Sequence, residues 1–279
     1  MTVLRGKNWA KTLWTALFFI MSMMFLTPLL WMISASTKLE QDVMKFPIQW
    51  IPETWNLANN YQKVWMSDVS FTLFYWNSLK VALICTVLTL FFSSLAGYSF
   101  AKLKFRAKSG AFLILMMFMV IPEQSTLVPR YILIKWLGLY NTHAALILMG
   151  MFSIYFTFLM RQFMMGIHND LLEAGKMDGA GYFYTFFKIV LPLSRPILAT
   201  VGIIKFIWVW NDYQNPLIFL YSKPLYTIPI GIQYFKEEYS DNVAVMMMAS
   251  VSAIIPLLVV FIVLQKHVIK GISLGGVKG

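Results

Sequence analysis

Six apolar runs, separated by polar and turn-forming segments, divide the chain at about residues 13–34, 77–101, 110–128, 142–160, 197–218 and 243–265. Each is close to the ~20 residues that a helix needs to cross the hydrocarbon core of a bilayer. A segment inside lipid must satisfy its own backbone hydrogen bonds, so the pattern predicts helices and an all-α membrane protein of six transmembrane helices. The first run follows Arg5, Lys7 and Lys11 without an intervening acid. It is longer than the ~7–15 apolar residues of a signal peptide, and more runs follow, so it is read as an uncleaved first span. Pro28 and Pro256 fall inside the first and last runs and are expected to kink them. Pro122 ends or kinks the third, and residues 129–141, with Trp136 and Tyr140, are expected to form a lid at the outer interface.

The most informative polar interruption is His168–Pro196, inside the loop 161–196. Asp170-x-x-Glu173 reads as a capping box opening a short helix, and Asp178-Gly179 closes it ahead of Ala180. A helix of roughly eight residues does not hold itself together in water, so something must dock against it. An aromatic-rich segment, Tyr182 to Lys188, follows and is expected to stop at Leu191-Pro192.

Composition narrows the class. At 59% hydrophobic and 13% charged residues the chain is no ordinary soluble domain. The net charge of +11 would suit nucleic acid, but its distribution has another cause. With both termini inside, the inner segments carry 14 lysines and arginines and the outer ones 7. That bias is the positive-inside rule and puts 161–196 in the cytoplasm. Cys85 is the one cysteine, the three histidines are scattered, and no metal site is visible. No G-x-x-x-x-G-K-[ST] occurs, since Gly175-Lys176 is followed by Met177. No nucleophile elbow or paired-carboxylate motif appears either, so the chain is read as non-catalytic.

Ionisable groups within spans are costly and are functional candidates by default. Lys205 lies nine residues beyond Pro196, about 13 Å along a helix and near mid-bilayer. It either lines a cavity for an anionic or hydroxyl-rich substrate, or snorkels or pairs across an interface. Trp210, Asn211, Asp212 and Gln214 either line the outer end of the pathway or cap the fifth helix. Glu123 and Gln124 either join that pathway or are polar groups at a helix end.

The spacing Glu173-Ala174, Gly179, Ile189, Leu191-Pro192 resembles the E-A-A … G … I-x-L-P loop of bacterial ABC-importer permeases. Six of its seven positions match, Gly175 standing where the family has a second alanine. Trp50-Ile51-Pro52, AGYSFAKLKF, the LGLYNT stretch, WNDYQNPL and YTIPIGI are similar to the carbohydrate, maltose-type branch, so the resemblance covers about residues 13–279. It implies a single permease domain over 1–279, in the bacterial cytoplasmic membrane. It implies partners as well: a homologous second permease, two ATPase subunits and an extracytoplasmic solute-binding protein, with lipid around them and no nucleic acid. The chain itself would bind no cofactor, ATP and Mg²⁺ belonging to the ATPase. Asp170, Glu173, Ala174, Gly175, Asp178, Gly179, Ala180, Ile189, Leu191 and Pro192 would form the ATPase-coupling element. The cargo implied is a di- or oligosaccharide, and a uronate-containing one if Lys205 lines the cavity. A self-contained secondary carrier or channel is the alternative, favoured by an inverted repeat or a chain of intramembrane acids, neither of which is visible.

Overall fold

The computed structural model describes residues 2–66, 71–239 and 241–275. Met1, residues 67–70 of the long polar segment, Ser240 and the last four residues of the basic tail lie outside the described residues. Packing divides the chain into two units, Met1–Phe71 with Ile232–Ile254, and Thr72–Gly231 with Ile255–Gly279. The described residues are helical with no strand. Among the described residues four helices are long and apolar enough to cross a membrane, Lys11–Ser36, Phe71–Lys102, His143–Met165 and Val243–Gln265. Two sharply bent pairs bring the number to six if each counts as one span.

In the first unit, helix α1 (Thr2–Ser36) exposes every side chain from Lys11 to Pro28. Its polar groups satisfy themselves: Thr15, Ser22 and Thr27 donate to the carbonyls of Lys11, Phe18 and Met23 at 2.7–2.9 Å. Hydroxyls bonded back to the preceding turn are tolerated where water is absent. Past Ser36 the chain turns inward, and Lys38 is 1% exposed with its ammonium donating to the Gln49 carbonyl. Asn60 sits on helix α2 (Leu57–Trp65). Its side chain donates to the carbonyls of Ser36 and Lys38, both at 2.9 Å. That one amide fastens the polar segment to the end of α1. Removing it strands two buried carbonyls, so Asn60→Ala is expected to cost about 3 kcal/mol. A lower midpoint of thermal unfolding in detergent checks it.

The second unit is built on α3 (Phe71–Lys102), a single 32-residue helix. Its buried face runs through Val81, Cys85, Thr89, Ser93 and Gly97, a ladder of mostly small residues at helical spacing. Small residues let helices approach closely in a membrane. A Cβ on Gly97 would lie 2.6 Å from the Met160 Cβ and 3.0 Å from the Arg161 backbone nitrogen. Helix α4 (Lys108–Phe118) is followed by a bend of 92° into Glu123–Trp136, whose α-helical part is α5 (Leu127–Trp136). The fourth apolar run is two helices, α6 (His143–Gly150) and α7 (Ile154–Met165). Ser153 caps α7, its hydroxyl accepting from the Phe156 N–H at 3.3 Å, and the chain between them is not helical.

After the loop come Tyr182–Leu193 and Arg195–Trp210, meeting at 77°. A further helix, Val243–Gly275, carries Pro256 without interruption, as α1 carries Pro28. Two apolar clusters hold the second unit. One gathers Tyr98, Phe156, Met160, Leu172, Phe186 and Val201. The other gathers Val81, Cys85, Ile134, Leu146, Phe219 and Leu220.

Candidate functional site: an exposed loop helix and an internal cavity

Helix α8 (Asn169–Met177) carries the first half of the loop motif. The residue ahead of it is His168, with no side-chain cap. The expected capping box is therefore absent, because Asp170 lies inside the first turn, two residues past the cap position. Asp170 instead places negative charge near the N-terminal end of the helix dipole. The anchoring at this end comes from Lys102, whose ammonium donates to the Ile167 carbonyl at 2.5 Å and to Asn169 Oδ1 at 2.9 Å. The other end closes as the sequence indicates. Gly179 has φ +82°, its N–H bonds the Lys176 carbonyl at 3.0 Å, and the Ala180 N–H bonds the Gly175 carbonyl at 2.9 Å. This pair of bonds is a Schellman motif, and the left-handed residue it requires is most cheaply a glycine.

Leu172 is the only buried side chain of α8 and inserts into the Met160 and Phe186 cluster. Glu173, Ala174, Asp178 and Gly179 are exposed. Around them lie Leu171, Met177, Tyr182 and Phe183, with Met177 88% exposed. Ala180 is half-buried. A Cβ at Gly175 would sit 2.8 Å from the Ile189 Cδ1, the far end of a flexible side chain. Two motif positions, fourteen residues apart, thus lie side by side.

The segment after the loop differs from expectation. Pro192 does not stop it. Helix Tyr182–Thr185 widens to a π-turn over Phe186–Val190, then continues through Leu191–Leu193 with Pro192 in its first turn. Pro192 has no N–H to donate, and the wide turn directly before it, where the Leu191 N–H reaches back five residues to the Phe186 carbonyl, shifts the bonding register at that point. The break falls at Ser194, which is fully buried, its N–H and hydroxyl both donating to the Val190 carbonyl at 2.9 and 2.8 Å.

Further along, a cavity of about 730 Å³ opens among the helices of the second unit. Lys205, Asp212 and Glu123 line it, together with Gln214. Trp210 and Asn211 do not. Trp210 is 2% exposed and stacks on Phe206 at 5.7 Å with Tyr75 edge-on at 5.6 Å. Asn211 turns back to donate to the Ile207 carbonyl at 2.9 Å, capping its helix. The two alternatives for this stretch therefore divide between its residues.

The charges of the cavity are unequally matched. Glu123 pairs with Arg130 at 2.8 Å, and Asp212 accepts from the Asn215 side chain at 2.8 Å and its backbone N–H at 3.1 Å. Lys205 is 8% exposed, and among the described residues no hydrogen bond or ion pair engages its ammonium. The Thr227 hydroxyl and the Arg130 Nε, also in the lining residues, are buried without a partner. Arg130 was not indicated by the sequence pattern. Its seven-residue spacing from Glu123 would bring the two onto one helical face, but Pro122 hides that a helical turn begins at Glu123.

The family model described as "Binding-protein-dependent transport system inner membrane component" matches residues 90–274. The arabinooligosaccharides transport system permease protein AraQ of Bacillus subtilis is 32% identical over 266 residues, covering 95% of each chain. The sulfoquinovosyl glycerol transport system permease protein SmoH of Agrobacterium fabrum is 33% identical over 256 residues, covering 91% of this chain and 89% of its own. Among solved structures, a chain of a bacterial ABC transporter involved in the import of the acidic polysaccharide alginate superposes with a TM-score of 0.83. It is 21% identical, covering 95% of this chain and 98% of its own.

Proposed function

The chain belongs to the binding-protein-dependent transport system inner membrane component family, and from that premise we propose that it moves a di- or oligosaccharide through an ATP-driven importer. As a permease component of an ABC importer it is a multi-pass protein of the cytoplasmic membrane without hydrolytic chemistry of its own. The partners in this reading are a second, homologous permease, two ATPase subunits and a solute-binding protein. The exposed length of α1, from Lys11 to Pro28, leaves apolar surface for lipid or for the second permease.

The observation that carries the reading is α8. It is a nine-residue helix held to the bundle by one buried leucine and by Lys102 at its start, with its acidic motif residue facing outward among exposed aromatic and aliphatic side chains. Apolar surface grouped around a rigid element of this kind suits a protein–protein contact. The ATPase would seat on it, and nucleotide-driven closure would shift α8 and bias the bundle between two arrangements. Co-expression with the neighbouring ATPase, followed by purification and ATP-driven uptake in proteoliposomes, tests it. Absence of a complex, or uptake without ATP, would overturn it.

The cargo in this reading is acidic, a uronate-containing sugar. Lys205 supports this: Asp212 and Glu123 share its cavity, but each is engaged by Asn215 or Arg130 and neither forms an ion pair with its ammonium, which leaves that buried cation free to meet a ligand carboxylate. A carboxylate reaching Lys205 would also find the Thr227 hydroxyl and Arg130 in the lining of the same cavity. Lys205→Ala is expected to depress uptake of an acidic oligosaccharide about tenfold and of a neutral one of the same length by less than twofold. Equal loss for both would remove the charge argument.

A further inference from the structure

A second cavity, of about 390 Å³, lies beside the break between α6 and α7. Phe152, Ser153 and Ile154 line both it and the charged cavity, so the non-helical turn is a common wall. The second cavity has a different chemistry. None of the residues lining it is ionisable. It offers the rings of Phe92 and Phe152, with centroids 4.9 Å apart, and the side chains of Ser93, Ser99 and Thr157. Ser99 and Thr157 already donate to the Leu95 and Ser153 carbonyls. Ser93 does not: it is 1% exposed and its hydroxyl has no partner. Phe152 is 58% exposed although it is a large apolar side chain in the middle of an apolar run. An orphaned buried hydroxyl calls for an explanation, and so does a helix interrupted here without proline.

We propose that this cavity is a second sugar subsite, adjoining the charged one and taking the uncharged face of a neighbouring ring of the same oligosaccharide. It rests on the reading of the chain as a carbohydrate permease. A pyranose ring has a C–H face and a rim of hydroxyls. The face packs on Phe152 and Phe92, and a rim hydroxyl meets Ser93. Few polar groups placed among aromatic walls are the usual make-up of a small-molecule site. The acidic unit occupies the Lys205 cavity while the next ring crosses the break at Met151–Ser153. The site therefore reads chain length, whereas Lys205 reads charge.

The test is ATP-driven uptake by the reconstituted permease–ATPase complex, comparing a monomeric uronate with its di- and trisaccharides. Phe152→Ala is expected to raise KM about tenfold for the di- and trisaccharide and less than twofold for the monomer. Phe152→Trp keeps the aromatic face and is expected to restore KM to within about threefold of wild type. Ser93→Ala, which removes only an oxygen, is expected to raise KM several-fold in the same length-dependent way. A KM that ignores Phe152→Ala, or one that shifts equally for monomer and trisaccharide, would overturn the subsite while leaving the importer intact. A wild-type complex that moves no sugar at all with ATP would overturn the importer reading and the subsite with it.

Discussion

Glu173→Ala is expected to lower ATP-driven uptake by at least tenfold while the chain still accumulates in the membrane at its normal level. The side chain is exposed on α8, and the neighbouring Leu172 provides the buried contact, so folding does not depend on the carboxylate. Alanine is the better helix former of the two, so the helix itself is not weakened. What disappears is an exposed negative charge on the face that the proposed ATPase contact would use. Loss of one partner of a desolvated, hydrogen-bonded charge pair at an interface costs about 2–5 kcal/mol, enough to uncouple the two proteins. Two measurements separate the possible causes: uptake in proteoliposomes, and recovery of the ATPase with the affinity-tagged permease. Uptake indifferent to Glu173 would sink the coupling role of this helix.

Gly97→Val is expected to be more severe, because it acts on the fold. A single added carbon already meets the Met160 Cβ at 2.6 Å and the Arg161 backbone nitrogen at 3.0 Å. The obstacle includes main chain, so no rotamer change relieves it, and α3 and α7 must separate. Overpacking of a core typically costs about 1–3 kcal/mol, and a contact with backbone belongs at the upper end or beyond. Monodisperse permease should fall to a small fraction of wild type in size-exclusion chromatography from detergent. Gly110→Val supplies the control, since a Cβ at Gly110 meets nothing within 4 Å. Equal yields for the two variants would refute the close approach of the helices.

The apolar runs made the all-helical class legible, because backbone polar groups in lipid leave no other open architecture. The end of α8 was equally legible, since Gly179 after an acidic cap residue is a local signal that the Schellman bonds then satisfy. Its start was not. The Asp170 and Glu173 spacing imitates a capping box two residues off register, and the anchoring group, Lys102, lies 67 residues away from Asn169 in sequence. The interruption at Met151–Ser153 falls inside a strongly apolar stretch, where hydropathy cannot tell a helix from a turn. Likewise the π-turn at Phe186–Val190 defeats the simple rule that Pro192 ends a helix. Lys205 could be singled out by its cost in a membrane. The cavity around it, with Arg130 and Thr227, comes from long-range packing that no local pattern encodes.

The unbroken course of α3 gives it the properties of an unequal-armed beam. Its tight crossing with α7 at Gly97 is the fulcrum. The short arm runs about 8 Å to Lys102, which grips the start of the loop helix, and the long arm about 28 Å to Ser78 in the wall of the charged cavity. Tilting about that point multiplies displacement nearly fourfold, so a shift of about 1 Å beside the loop becomes nearly 4 Å at the cavity wall. In the proposed importer, a small stroke at the loop helix would then change the width of the sugar path several times as much.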